Sequence, residues 1–140
     1  MGDPLPVRLQ LSRRKGFDLQ AWSREVNGLA AVNCARPGKH GNAFRVGEDH
    51  SEFMAGAEQA TAAQCVSLFR AFAEALRQVD PKGFEEYVAP LRGNNLACWC
   101  GLCARHATTG KPLDEPCADC APCHVDPLGE IANTPICEAV

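Results

Sequence analysis

The stretch CWCGLCARHATTGKPLDEPCADCAPCH, residues 98–124, decides the architecture of this chain. It holds six of the nine cysteines and two of the four histidines. Thiolates and imidazoles are the side chains that bind zinc, and a two-residue spacer lets both members of a pair reach one ion. Because so few apolar residues lie between the pairs, the stretch predicts a loop that a metal stabilises.

Two pairs with this spacing define the predicted zinc site. Cys103 and His106 form the first pair, Cys117 and Cys120 form the second, and a loop rich in Thr, Gly and Pro connects them. Cys100 and Cys103 have the same spacing, so a site in which Cys100 replaces His106 satisfies the pattern equally well. The non-functional alternative is that these cysteines are merely close together in the sequence and bind no metal.

Four side chains that flank this loop form a second group of candidates. Cys98 and Cys100 are two apart on a predicted strand and therefore face the same side of it. Cys123 and His124 precede a predicted helix, whose dipole favours a thiolate. The four could hold a second metal or form a reactive thiol–imidazole pair, with simple packing as the alternative. Because adjacent residues rarely point at one place, we expect Cys123 and His124 to serve different ends.

The first residues and the hydropathy of the whole chain indicate the cellular compartment of the protein. Residues 1–6 include Asp3 and two prolines and lack the apolar core of a secretory signal. No apolar run approaches the ~20 residues that cross a bilayer. We therefore expect a cytoplasmic protein without a membrane partner, in which cysteines are metal ligands or free thiols instead of disulfides.

Length and pattern predict one small α/β domain over residues 1–140. Hydrophobic residues make up 46% and charged residues 22% of the chain, which excludes a disordered or fibrous protein. The net charge of −3 is too small to indicate a strongly acidic or basic partner. We expect a short sheet flanked by helices. Its predicted strands cover residues 7–11, 29–34 and 95–100, and its predicted helices cover 61–79, 84–88 and 125–132.

The helix at 61–79 has the clearest pattern. Its apolar side chains recur at intervals of three and four, at Cys65, Leu68, Phe69, Phe72, Leu76 and Val79. Thr61 and Gln64 fit a capping box, and Pro81 ends the helix. The segment 47–60 follows no such pattern, and we expect a mobile loop there.

Basic side chains after two predicted strands form a candidate anion site. Arg13 and Lys15 follow the first strand. Arg36, Lys39 and Asn42 lie in a Gly- and Pro-rich loop after the second strand, residues 36–42, which we call the glycine loop. Ligands of open α/β sheets collect at the carboxyl ends of strands, and arginine with backbone amides can hold a phosphate. The loop has neither the Walker nor the dinucleotide glycine spacing, so a structural turn is the alternative.

Four segments of the chain carry a family resemblance. In order, they are RLQLSRRKG at 8–16, ARPGKHGNAFRVG at 35–47, LRGNNLACWC at 91–100 and PCHVD at 122–126. Together they resemble the small phage and bacterial proteins grouped as domain of unknown function 4326. The resemblance implies a bacterial or phage-infected host cell and a set of site residues, but no reaction.

This sequence departs from the family pattern at two places. Family members usually connect the Cys-Trp-Cys and Pro-Cys-His pieces through a few residues, whereas here the segment 101–122 intervenes. The resemblance therefore implies that 101–122 is an inserted zinc-binding loop, and it favours His106 over Cys100 as the fourth ligand. His40 stands where a tryptophan is common, which weakens any stacking role at that position.

Three functions compete on this basis. The first is a zinc-binding protein of phage or prophage type that binds a nucleotide or a nucleic-acid phosphate through its basic residues. The second is an enzyme that acts on a nucleotide or nucleobase through the flanking Cys/His group, although the His-x-Glu signature of zinc deaminases is absent. The third is a structural or host-interaction protein. The acidic net charge disfavours tight non-specific DNA binding.

Overall fold

A computed structural model of the chain describes residues 4–133. Residues 1–3 of the segment expected to lack a secretory signal lie outside this range. No helix within 4–133 is long and apolar enough to span a bilayer. The elements in chain order are β1 (Val7–Gln10), α1 (Leu19–Asn27), β2 (Ala31–Asn33), α2 (Ala62–Val79), α3 (Pro81–Val88), a 3₁₀ turn (Ala89–Leu91), β3 (Asn95–Cys98), β4 (Lys111–Pro112) and α4 (Val125–Asn133).

The four strands form one mixed sheet in the order β2-β3-β1-β4. β3 pairs in parallel with both neighbours, so that Leu96 lies opposite Val32 on one side and Arg8 on the other. β4 pairs antiparallel with β1, with Lys111 opposite Arg8. The carboxyl ends of β1, β2 and β3 therefore meet at one edge of the sheet. We call this edge the carboxyl edge.

The core forms where the central strands meet the helices. Leu9 and Leu96 are fully buried and pack in one cluster with Val88, Leu91 and Leu128. The predicted α/β class, a short sheet flanked by helices, is confirmed. Burial of this apolar set stabilises the fold by roughly 25 cal/mol for each Å² removed from water.

α2 confirms the predicted helix and most of its predicted buried face, since Cys65, Leu68 and Phe69 are buried, but it corrects two positions. The Thr61 hydroxyl accepts a hydrogen bond from the backbone N–H of Gln64, and the Gln64 side chain accepts one from the N–H of Thr61. Phe72 and Val79 were expected in the core, yet they are 66% and 84% exposed, whereas Ala73 is buried. At this turn of the helix, the small side chain of Ala73 packs in the core, whereas that of Phe72 is exposed.

α1 was not predicted, although its end signals are present. The Asp18 carboxylate accepts a hydrogen bond from the N–H of Ala21, and Gly28 ends the helix with φ of 82°. The segment 47–60 holds no regular element, but backbone hydrogen bonds cross it. The N–H of Gly47 donates to the carbonyl of Ala60 at 2.7 Å, for example.

Gly110 precedes β4, and its replacement by alanine is expected to destabilise the fold. Its φ is +75°, and a Cβ there would lie 2.6 Å from the Cγ2 of Val7. Overpacking of this kind costs about 1–3 kcal/mol, apart from the backbone strain. Urea denaturation measures the free energy of unfolding. Gly101→Ala is the matched control, because a Cβ there meets nothing within 4 Å, and equal losses for both variants would contradict the expectation.

Candidate metal centre

The four predicted loop ligands lie together. The ligand atoms of Cys103, His106, Cys117 and Cys120 are all within 4.8 Å of one another. We call these four residues the loop cluster. The sulfur of Cys103 is 3.3 Å from the Nδ1 of His106 and 4.0 Å from the sulfur of Cys117, and the sulfur of Cys120 is 3.5 Å from the same Nδ1.

These separations fit a tetrahedral zinc ion. Zinc–sulfur bonds of about 2.3 Å and zinc–nitrogen bonds of about 2.0–2.1 Å place ligand atoms roughly 3.5–3.8 Å apart at the tetrahedral angle. His106 occupies the fourth position of the loop cluster. Cys100, the alternative that spacing allowed, instead has its side chain hydrogen-bonded with Cys98 and Cys123.

The backbone of the loop turns its amides toward the sulfurs. The N–H of Cys103 donates to the sulfur of Cys120 at 3.3 Å. At Cys117 partial desolvation opposes ionisation, but hydrogen bonds from the backbone amides of Asp119 and Cys120 prevail and lower the thiol pKa to about 6. The Arg105 guanidinium adds a donor at 3.5 Å. Because the thiolate is the form that binds metal, this environment favours a metal ligand.

A buried ion network holds the loop against the sheet. Arg8 on β1 is 1% exposed, and its Nη1 lies 2.9 Å from the carboxylate of Asp126 on α4. Lys111 on β4 is 3% exposed and pairs with the same carboxylate at 3.0 Å. The Nη2 of Arg8 donates to the carbonyls of Gly101 and Ala121, at the two ends of the loop.

Sequence reasoning missed this network. Residues 7–11 alternate apolar and polar side chains, a pattern that predicts a half-buried strand with Leu9 toward the core and Arg8 on the polar side, but the structure buries both. β4 and the contacts of the Arg8 guanidinium with the loop cover that side. One signal was available, since Arg8 belongs to a run of basic residues with Arg13, Arg14 and Lys15, and such a run indicates a phosphate or carboxylate nearby. The carboxylate that Arg8 meets is 118 residues away along the chain.

The second Cys/His group also converges, at the carboxyl edge. Cys98 ends β3, and Cys123 and His124 stand immediately before α4. Their ligand atoms lie within 4.8 Å of one another. The expectation that Cys123 and His124 would point to different places is wrong, because the sulfur of one is 3.8 Å from the Nδ1 of the other. The chain bends into α4 there, so both side chains turn inward.

Hydrogen bonds between the thiols of this group shift the pKa values of Cys98 and Cys123 in opposite directions. Those from the side chains of Cys100 and Cys123 lower the pKa of Cys98. At Cys123, the hydrogen bonds with Cys100 and Cys98 raise the pKa. Nearby, burial raises the pKa of Cys34 to about 12, and the charge of Cys98 adds to the effect. None of the eight cysteines in residues 4–133 forms a disulfide.

The basic candidates divide into exposed and buried residues. Arg13 is exposed, and its guanidinium carbon lies 4.9 Å from the ring centre of Trp99. Lys15, Arg36 and Lys39 are exposed as well. Asn42 is different because it is buried.

The glycine loop uses three of its polar side chains internally. The Nη1 of Arg36 donates to the carbonyl of Asn42 at 2.7 Å. The amide of Asn42 donates to the carbonyl of Cys65 and accepts from the N–H of Phe44, and this residue is only 7% exposed. His40 is buried, with its Nε2 2.7 Å from the carbonyl of Tyr87. Asn42 therefore stabilises the loop from inside and does not lie at the surface with the basic residues.

Comparison with known proteins adds a family to this geometry. No curated protein and no solved structure matches the chain. A family model described as domain of unknown function (DUF4326) matches residues 17–134, which is most of the chain. The matched region includes the glycine loop and both Cys/His groups. The chain belongs to the domain of unknown function 4326 family.

Proposed function

We propose that this protein binds zinc at the loop cluster and binds the phosphate of a nucleotide or nucleic acid at the carboxyl edge of its sheet. The observation that carries the zinc proposal is the meeting of two cysteine-containing pairs, with four ligand atoms within 4.8 Å. A mixed sulfur and nitrogen set of this kind is typical of zinc, because oxygen ligands are what magnesium and calcium prefer.

The loop zinc has a structural role in this proposal. Four protein ligands fill a tetrahedral shell and leave no open position for a substrate. The segment 101–122 has little core of its own, since Leu113 and Cys120 are its buried hydrophobic residues. Metal binding would supply the free energy that orders such a segment.

The phosphate proposal rests on the contact of Arg13 with Trp99. Trp99 is 45% exposed and lies between Cys98 and Cys100, just beyond the end of β3. An exposed aromatic ring beside an arginine is the pairing that stacks a base and contacts a phosphate. β3 alone separates β1 from β2, so the ends that carry Arg13 and the glycine loop are roughly 10 Å apart.

A cleft also lies beside the end of β1, although neither Arg13 nor Trp99 lines it. It has a volume of ≈ 870 Å³, and Arg14, Thr108 and Thr109 line it together with residues of α1. This volume suits a small ligand. Asp18 and Glu25 also line the cleft, so an anion would occupy the arginine side.

Substitution at the carboxyl edge tests the phosphate proposal. We expect Trp99→Ala to weaken binding of a short labelled single-stranded oligonucleotide about tenfold or more, because one stacked base contributes about 1–3 kcal/mol. We expect Lys39→Ala to weaken binding and to lower the salt dependence of log K by about one unit. Fluorescence anisotropy at several salt concentrations measures both effects, with ATP as the nucleotide competitor.

Lys82→Ala is the matched control for this experiment. Lys82 is an exposed lysine on α3, away from the strand ends, and its loss should leave affinity unchanged. Binding that is equal in the unmodified chain and in all three variants would contradict the proposed surface. A chain that binds neither the oligonucleotide nor ATP would contradict the phosphate proposal itself.

A further inference from the structure

A second Cys/His group lies apart from the loop cluster and is buried more deeply. Cys123 is 1% exposed, His124 is 4% exposed and Cys98 is 8% exposed. Cys100 is half-buried, and its side chain contacts those of Cys98 and Cys123. The ligand atoms of Cys98, Cys123 and His124 thus converge within 4.8 Å of one another, from the end of β3 and the start of α4, and the side chain of Cys100 lies beside the two cysteines.

The hydrogen bonds of His124 fix which ring nitrogen faces the sulfurs. Its Nε2 lies 3.0 Å from the carbonyl oxygen of Cys34 and 2.9 Å from that of His40. Both oxygens are acceptors, so Nε2 must carry the proton. In the neutral imidazole, Nδ1 then has the lone pair, and it lies 3.8 Å from the sulfur of Cys123. A backbone carbonyl that holds the far nitrogen is the usual support of a metal-binding histidine.

The surroundings of the group favour a metal over catalysis. The ring of Phe69 packs edge-on against His124, with centroids 5.0 Å apart. Cys98 and Cys123 belong to the main hydrophobic core. A substrate has no access to sulfurs that are buried in this way, whereas a metal ion needs none once the chain has folded around it.

The local charges also suit a metal–thiolate site. Three thiolates and one neutral imidazole around Zn²⁺ carry a net charge of −1. The Nη2 of Arg8 lies 3.4 Å from the carbonyl of Cys100 and places a positive charge beside this group. The amino terminus of α4 follows His124 directly and contributes a second favourable field.

We propose that Cys98, Cys100, Cys123 and His124 bind a second zinc ion in a closed, buried site. The ion joins the carboxyl end of β3 to the start of α4. It also fixes the glycine loop, because the carbonyls of Cys34 and His40 hold the imidazole. The loop zinc and this zinc are independent sites, since the two sets share no ligand.

Metal stoichiometry in matched variants tests this proposal. Native mass spectrometry of the full chain, purified under reducing conditions without chelator, should show two zinc ions. Cys123→Ala should retain one. Cys34→Ala is the control and should retain two, because Cys34 is a buried cysteine close to Cys98 whose thiol donates to the carbonyl of Val32.

A complementary variant keeps the test decisive if Cys123→Ala fails to fold. Cys103→Ser/Cys117→Ser removes the loop cluster alone and should retain one zinc ion. Cobalt(II) added to the metal-free form of this variant should produce the visible bands of tetrahedral cobalt–thiolate coordination. The proposal is overturned if the unmodified chain holds one zinc that Cys117→Ser removes, or if Cys123→Ala still holds two.

Discussion

Cys117→Ser is expected to release the loop zinc and to leave the segment 101–122 without a fixed structure. A serine hydroxyl stays protonated at neutral pH and does not replace a thiolate ligand. Structural zinc contributes an apparent 10–16 kcal/mol to the folding of small zinc modules, far more than Leu113 can supply by burial. The measurements are zinc content and limited proteolysis, which should cut within 101–122 while α2 stays intact.

Cys65→Ala is the control for this prediction. Cys65 lies on α2, is buried with Ala57 and Ala60, and belongs to neither Cys/His group. Its replacement should leave the zinc content and the cleavage pattern of the chain unchanged. Full zinc content in Cys117→Ser would remove Cys117 from the ligand set.

Asp126→Asn is expected to lower the free energy of unfolding by up to about 3–5 kcal/mol, the cost of breaking a buried ion pair by removing one partner, because Arg8 and Lys111 are buried although Asp126 is 29% exposed. The substitution keeps the shape of the side chain but leaves Arg8 and Lys111 buried without their shared counter-charge. Because Arg8 also holds both ends of the loop, we expect the loss of stability to appear as global unfolding. Urea denaturation of the zinc-loaded chain measures it.

Glu74→Gln is the matched neutralisation on the surface. Glu74 pairs with Arg77 at 3.3 Å on α2, and both side chains are more than a third exposed. Solvent-exposed pairs of this kind contribute about 0.2–1 kcal/mol or less. If Asp126→Asn destabilises the chain no more than Glu74→Gln does, the buried network does not stabilise the fold.

The sequence was sufficient for those features that depend on local spacing. The two-residue spacers located the loop cluster, and the pair Thr61 and Gln64 marked the start of α2. Both signals involve residues within one turn of each other, so no knowledge of the fold is needed. The second Cys/His group was recognised from Cys98, Cys100, Cys123 and His124 as candidates for a second metal site or a reactive pair, but Cys123 and His124 were not expected to point at one place.

The remaining features depend on contacts between distant parts of the chain. Arg8 and Asp126 are 118 residues apart, and His124 and Cys34 are 90 apart. The burial of both sides of β1 depends on β4, a two-residue strand that carries no pattern of its own. The same limit applies to α2, whose periodicity fits a face through Phe72 as well as the face through Ala73 that the core selects.

Zinc binding is the central claim, and the mass of the intact, natively folded chain tests it most directly. The 140-residue chain, purified under reducing conditions without chelator, should weigh more than its denatured form by the mass of its bound zinc, two ions if both Cys/His groups are filled. The excess should disappear on treatment with a strong chelator. A native mass equal to the denatured mass would contradict the account.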